Sequence, residues 1–258
     1  MNARARFQHA LRFLTILPAF FVGEGLADAR LADYAAFFPA VGIYVGLLSG
    51  LVYLAASLAW TGFIPSLLAI IASIAVTAAF HEDGLADTAD GFGGGWTREQ
   101  RLAIMKDSRL GTFGVLGLGL GVACRVFAVS LLAPHFVLWT LIAAHAGARC
   151  AMLMVMTKQA YGGDRTASRM QHLSERLDPA ILRVAGLWTL AAFLPLLVTL
   201  GSVALVGLVL GAALSFALAR YSQKAIGGYS GDVLGAVEQL FEIGFLLGVA
   251  AIPAATLV

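Results

Sequence analysis

Seven apolar stretches run through this chain, near residues 34–58, 63–81, 112–133, 136–158, 181–199, 202–221 and 234–255. A helix needs roughly 20 residues to cross the hydrocarbon core of a bilayer. In lipid the backbone N–H and C=O groups have no water to bond, so stretches of this length must close their hydrogen bonds internally as helices. The predicted fold is all-α: a polytopic integral membrane helical bundle of about seven transmembrane helices, forming one membrane-embedded domain over 1–258. Composition agrees, with 60% hydrophobic and 12% charged residues and a mean hydropathy of +0.86. A soluble globule of this size could not hide so much apolar surface. Disorder, coiled coil and a disulfide framework are excluded. Cys124 and Cys150 fall inside predicted spans and read as small core residues. The bilayer is the expected partner, and no nucleic acid is. Pro39 and Pro195 lie within spans and are expected to kink them.

The scarce charges say which side is which. Four polar segments remain, at 1–33, 82–111, 159–180 and 222–233. Seven crossings put all four on one face. Of the 17 basic residues, all but Arg125 and Arg149 lie in or beside these segments, and none lies in the short connections on the other face. By the positive-inside rule the charged face is cytoplasmic. Residues 6–22 have a slight signal-peptide character, but His9 and Arg12 interrupt them. They are expected to form an amphipathic N-terminal interfacial helix, within the cytoplasmic segment 1–33.

Residues 82–111 form the cytoplasmic acidic segment. Asp83, Asp87 and Asp90 follow at i, i+4 and i+7, which places three carboxylates on one helical face if the second span continues. Glu82 sits beside them. Like charges at this spacing repel, and a divalent cation would offset the repulsion. Hard oxygen donors point to Mg²⁺. The competing reading is a solvated acidic loop. Gly91 and Gly93–Gly95 follow, able to admit a ligand close to the backbone or to act as a connector. Thr97 and Gln100 predict a capping box that opens a short helix over 98–106. Lys106, Asp107, Ser108 and Arg109 then offer two cations, a carboxylate and a hydroxyl, a set suited to a phosphate beside a metal. Asp107 is read as a metal ligand or a proton acceptor.

Charges inside spans default to function. Arg125 lies about 20 Å along its helix from residue 112, on a face with Gly117 and Gly121. Arg149 shares a face with His145, and Glu238 and Glu242 lie one turn apart on the last span. Arg125, Arg149 and Glu238 are candidate substrate contacts, with a structural ion pair to Glu238 or Glu242 as the competing reading. Asp232 reads as a catalytic carboxylate or a helix cap, and the glycine-rich loop 227–231 as a ligand-approach loop. The basic loop with Gly162, Asp164, Arg165, Arg169, His172 and Arg176 suits an anionic substrate or anionic lipid.

Asp87-Thr88-Ala89-Asp90-Gly91 has the D-x-x-D-G opening of the CDP-alcohol phosphotransferase signature, but the rest of that signature is absent. The run HEDGLADTADGFGGG…IMKDSRLGTFG, with FLTILP, FFPAVGIYVG and GGYSGDVLGAVEQLFEIGFLL, resembles the adenosylcobinamide-GDP ribazoletransferase (cobalamin synthase) family over essentially the whole chain. It departs at Tyr229-Ser230, where the family is associated with His-Thr, and at Glu82. The resemblance implies a multi-pass enzyme of the bacterial inner membrane with its site facing the cytoplasm. It implies a phosphotransferase of cobalamin biosynthesis that uses Mg²⁺. Its substrates would be adenosylcobinamide-GDP and α-ribazole or α-ribazole 5′-phosphate; its products would be adenosylcobalamin or its 5′-phosphate, plus GMP. In that chemistry Asp83, Asp87, Asp90 and Glu82 are the metal candidates. Lys106, Ser108, Arg109 and Arg149 would hold phosphate oxygens, and Asp107 or Asp232 would take the hydroxyl proton. A transporter is the alternative from a different class, though the outer connections offer it no polar groups. Glycine faces would also allow a homodimer.

Overall fold

A computed structural model describes residues 1–17, 29–163 and 177–251. The described residues are helical with short connections, and their one extended pairing is an isolated bridge between Tyr161 and Tyr229. The all-α polytopic bundle read from the sequence is the fold observed.

Helix α1 (Ala3–Leu14) starts at Asn2, whose side chain accepts from the Ala5 N–H at 2.9 Å. It buries Ala10, Leu11 and Leu14 and leaves Arg4, Arg6 and Arg12 exposed, an amphipathic pattern suited to an interface. The rest of the predicted segment 6–22, from residue 18 on, lies outside the described residues. Helix α2 (Leu31–Tyr34) passes through a 3₁₀ turn (Ala35–Phe37) into α3 (Phe38–Ala56). Pro39 does not kink the first span. It sits in the first turn of α3, where its missing N–H is not needed.

The second span departs most from expectation. Helix α4 (Phe63–Thr77) stops at Ala78 and Ala79, and α5 (Phe80–Gly94) leaves at 89° to it. Both alanines are left-handed, with φ of 52° and 56°. Each costs about 1–2 kcal/mol, and nothing in Thr77-Ala-Ala-Phe80 signals a break. Neighbouring contacts hold it. The Ala79 N–H bonds Ile74 O at 2.9 Å, and the Ile16 N–H, arriving from beyond α1, bonds Val76 O at 3.0 Å.

Helix α6 (Arg98–Met105) carries the predicted Thr97–Gln100 capping box. Then come α7 (Thr112–Ser130), α8 (Pro134–Lys158), α9 (Ile181–Leu200, with Pro195 inside), α10 (Ser202–Ile226) and α11 (Gly231–Ala250). Six helical stretches and the bent α4–α5 pair account for the seven predicted crossings. Helices α8 and α11 form the centre, each 78% buried over its most apolar stretch, against 22% for α9. Val198 of α9 is 78% exposed and Leu187 68%. Such apolar outer faces need lipid around them.

Close packing rests on small residues, as in membrane helices generally. A Cβ on Gly46 of α3 would lie 2.5 Å from the Ile142 Cα of α8. Between α10 and α11, Gly207 faces Gly248 and Gly211 faces Gly244. The α10 C-terminus is closed by side chains from α6. Arg98 donates to Ile226 O (2.9 Å) and Gly162 O (2.8 Å), and Arg101 to Ala225 O (3.0 Å), so both satisfy orphan carbonyls.

Candidate active site

The broken span decides where the acidic residues go. Because α5 turns away from α4, it packs lengthwise between α7 and α11. Gly117 and Gly121 of α7 bring Ala89 and Leu85 of α5 close. On the other side Gly84 meets Gly235 of α11, and a Cβ on Gly84 would lie 2.7 Å from the Asp232 carbonyl. Asp83 is exposed, Asp87 half-buried, and Glu82 and Asp90 buried.

A cleft of about 610 Å³ runs beside α5. Its polar lining is Glu82, Asp83, Asp87, Lys106, Asp107, Ser108 and Arg109. Ile74, Met105, Leu110, Leu118 and Val122 make its apolar wall. Val122 lies about 15 Å along α7 from its start, so the cleft is deep as well as polar. The Asp87 carboxylate also feels the charges of Asp232 and Asp90. Asp232 is thus brought to the acidic group from 142 residues further along the chain. A second hollow of about 470 Å³, with Phe13, Ile16 and Phe80 in its wall, meets the cleft at Ala79 and Asp83.

Asp107 and Arg109 form their own pair. The Arg109 side chain donates to Asp107 at 2.6 Å (Nη2) and 3.0 Å (Nε), and its backbone N–H at 3.0 Å. These bonds hold the Asp107 carboxyl down at about 2. A carboxylate stabilised in this way is a poor proton acceptor; Asp232, the other predicted base, is not part of the cleft lining but lies near enough to Asp87 for their charges to interact.

Several expected site residues have structural partners instead. Asp90 accepts from the Gly111 N–H at 2.7 Å and the Gly114 N–H at 2.8 Å, so both oxygens cap α7. Arg125, Arg149 and Glu238 do not line the cleft. They belong to an enclosed network, each no more than 1% exposed. Arg125 donates to Glu82 (2.9 Å) and Glu242 (3.1 Å), and Arg149 pairs with Glu238 at 2.8 Å. His145 contacts Glu242, and Gln239 donates to Glu238 at 2.9 Å. The ion-pair reading is the one the geometry favours, because a charge in the bundle interior needs a partner. His145, Glu238 and Glu242 offer ligand atoms within 4.8 Å of one another. Two guanidiniums already neutralise those carboxylates, so the cluster reads as an ionic clasp. The parts legible in the sequence were Arg125, Arg149, Glu238 and Glu242; His81, whose Nδ1 lies 3.7 Å from Glu238, and Gln239 carried no distinguishing signal.

The glycines after the acidic run serve packing rather than a ligand. A Cβ on Gly91 would strike the Met105 side chain, and one on Gly95 would lie 2.8 Å from the Arg101 backbone N. Loop 227–230 is likewise tied to its neighbours, with the Tyr229 N–H on Ala160 O and the Gly162 N–H on Tyr229 O. Ser230, not Asp232, caps α11, accepting from the Val233 N–H at 3.2 Å. Asp164, Arg165, Arg169, His172 and Arg176 lie outside the described residues.

The cleft offers hard oxygen donors of the type a divalent cation takes, while among the described residues the one group whose ligand atoms already lie together is His145, Glu238 and Glu242. Asp83 and Asp87 present carboxylates to the cleft, and Glu82 keeps one buried oxygen, Oε2, with no hydrogen-bond partner. All are hard oxygen donors, and oxygens of a bound phosphate would complete a shell of the kind Mg²⁺ accepts.

Fold and cleft together define a class: a polytopic helical membrane protein whose polar site is walled by its own spans. The chain belongs to the cobalamin-5-phosphate synthase family, whose sequence model matches residues 6–250. It is 40% identical over 255 residues to the adenosylcobinamide-GDP ribazoletransferase of Bradyrhizobium diazoefficiens, covering 97% of this chain and 95% of that one. The Shewanella piezotolerans enzyme of the same name is 41% identical over 243 residues, covering 92% and 91%. The Shewanella frigidimarina enzyme is 38% identical over 235 residues, covering 86% and 85%. No solved structure matches the chain. This is a membrane transferase of cobalamin biosynthesis, and the transporter reading falls away.

Proposed function

We propose that this chain joins adenosylcobinamide-GDP to α-ribazole or α-ribazole 5′-phosphate in a Mg²⁺-dependent reaction that releases GMP. The observation that carries the reading is the cleft itself: Asp83 and Asp87 line the same open cleft as Lys106, Ser108 and Arg109. A pyrophosphate needs cations around its oxygens, and a metal needs carboxylates. This lining supplies both.

The balance of the reaction is simple. A ribose hydroxyl oxygen forms a bond to the cobinamide-linked phosphorus. The bond from that phosphorus to the bridging oxygen breaks, GMP leaves with that oxygen, and the hydroxyl proton is released. Mg²⁺ held by Asp83 and Asp87, with Glu82 beside them, would neutralise phosphate charge. Lys106 and Arg109 orient the phosphate oxygens, and the Ser108 hydroxyl donates to one of them. Asp232 receives the hydroxyl proton. The apolar wall of Leu118 and Val122 excludes water, which would otherwise hydrolyse the pyrophosphate. The two hollows that meet at Asp83 suit a reaction with two substrates, and the aromatic one, with Phe13 and Phe80, suits the base of α-ribazole. The positive-inside distribution supports a cytoplasmic face for this site, in a bacterial inner membrane.

The test is direct. Purified protein is given both substrates with Mg²⁺ and GMP is measured. Equimolar GMP and lower-ligand-linked corrinoid support the reading. Absence of GMP under those conditions, or transfer from a CDP-alcohol instead, overturns it.

A further inference from the structure

A third cavity, separate from the acidic cleft, lies between α8, α9, α10 and α11. Its volume is about 300 Å³, at the lower end of ligand-sized pockets. The lining is almost wholly apolar. Among the described residues its one charged lining residue is Lys158, at the last turn of α8. From Gly147 to Lys158 the wall runs eleven residues, about 16 Å of helix. One leaflet of a hydrocarbon core is about 15 Å thick. The rim faces outward, since Met154 is 48% and Phe216 63% exposed.

The charged end of the slot is the end that the chain's basic residues mark as cytoplasmic. Arg220, exposed near the end of α10, holds its guanidinium 5.6 Å from the centre of the Phe216 ring, on the slot wall. Gln159 donates from Nε2 to Ala219 O at 2.9 Å, joining the α8 and α10 walls at that end. Its Oε1 is buried without a hydrogen-bond partner. The polar groups with an apolar interior, Thr189 and Ser215, are satisfied within the protein: Thr189 donates to Ala185 O and Ser215 to Val237 O. The slot therefore offers an aqueous solute nothing along its length and cations only at the mouth.

We propose that this slot is a binding site for an anionic phospholipid, with an acyl chain along α8 and the phosphodiester at Lys158 and Arg220. The length matches one leaflet, the interior matches a hydrocarbon chain, and the two cations match a phosphate of the cytoplasmic leaflet. Surface cations at this depth favour anionic over zwitterionic headgroups by about fivefold each.

The experiment uses the whole protein in nanodiscs of phosphatidylglycerol mixed equally with phosphatidylcholine, released into native mass spectrometry. Wild-type protein is expected to retain one phosphatidylglycerol, at least tenfold over phosphatidylcholine. Lys158→Glu with Arg220→Glu is expected to abolish that preference. Ala212→Phe, at an exposed position on the slot wall, is expected to abolish retention of either lipid. Equal retention of the two lipids by the wild type would overturn the proposal, as would unchanged phosphatidylglycerol in either variant. So would a rise in the KM for α-ribazole in Ala212→Phe with lipid retention intact, which would make the slot a substrate site.

Discussion

Arg125 of α7 donates to Glu82 of α5 at 2.9 Å, with neither side chain more than 5% exposed. This one bond ties the first turn of the acidic helix to the middle of a neighbouring span. Arg125 also reaches Glu242 of α11 at 3.1 Å. Helices α5, α7 and α11 are thus fixed at a common point; two of them, α5 and α7, line the cleft, and Asp83, the residue after Glu82, also lines it.

Breaking that clasp from one side should be costly. Arg125→Ala leaves Glu82 and Glu242 buried without their cation, a loss of about 3–5 kcal/mol. The expected result is a large drop in thermal unfolding temperature in detergent. Pairing it with Glu82→Gln should recover part of the loss, since one of the stranded charges is gone.

Asp87→Ala should abolish GMP release while the protein stays folded, because Asp87 is only half-buried and makes no hydrogen bond or ion pair with the other described residues. The check is turnover across a Mg²⁺ titration together with an unfolding curve. Wild-type turnover at saturating Mg²⁺ would refute the metal role of Asp87.

Asp90 separates structure from chemistry. Removing its carboxylate in Asp90→Ala strands the Gly111 and Gly114 N–H groups, at about 1–3 kcal/mol. Lower stability with proportionate loss of active protein is expected. Unchanged stability with abolished turnover per folded molecule would place Asp90 at the metal instead.

Asp107 has a pH signature. Its carboxyl titrates at about 2 because Arg109 stabilises the charged form. The depressed value means that Asp107 is ionised at every pH above roughly 4. Its titration should therefore shape neither limb of the rate profile between about pH 5 and 9. Asp107→Asn is expected to lower kcat without moving those limbs; a limb displaced by more than about half a unit would identify Asp107 as the titrating base.

Ala78 is exposed and left-handed. Ala78→Gly removes a Cβ that disfavours this conformation and loses little packing. It should raise stability by about 1 kcal/mol, seen as a higher unfolding temperature with unchanged turnover. A lower unfolding temperature would show that the bend carries no strain at this position.

The sequence by itself determined the class of fold, the apolar runs that become its long helices and the segments that hold its scarce charges. Those properties follow from local quantities: the length of an apolar run, the absence of water in lipid, and the placement of arginines. It also placed Asp83, Asp87, Lys106, Asp107, Ser108 and Arg109 in one short segment, where proximity in the chain nearly guarantees proximity in space. The Thr97–Gln100 cap was legible for the same reason. Only the tertiary structure decided what each buried charge does. Asp90 faces the α7 N-terminus, and Arg125 meets Glu82 and Glu242 across 43 and 117 residues of chain. No periodicity encodes such distant pairings. The turn at Ala78–Ala79 was invisible because alanine favours the right-handed helix. The bend is imposed by what α4 and α5 pack against, and it is this bend that sets the acidic helix between α7 and α11, where Glu82, Asp83 and Asp87 line a cleft.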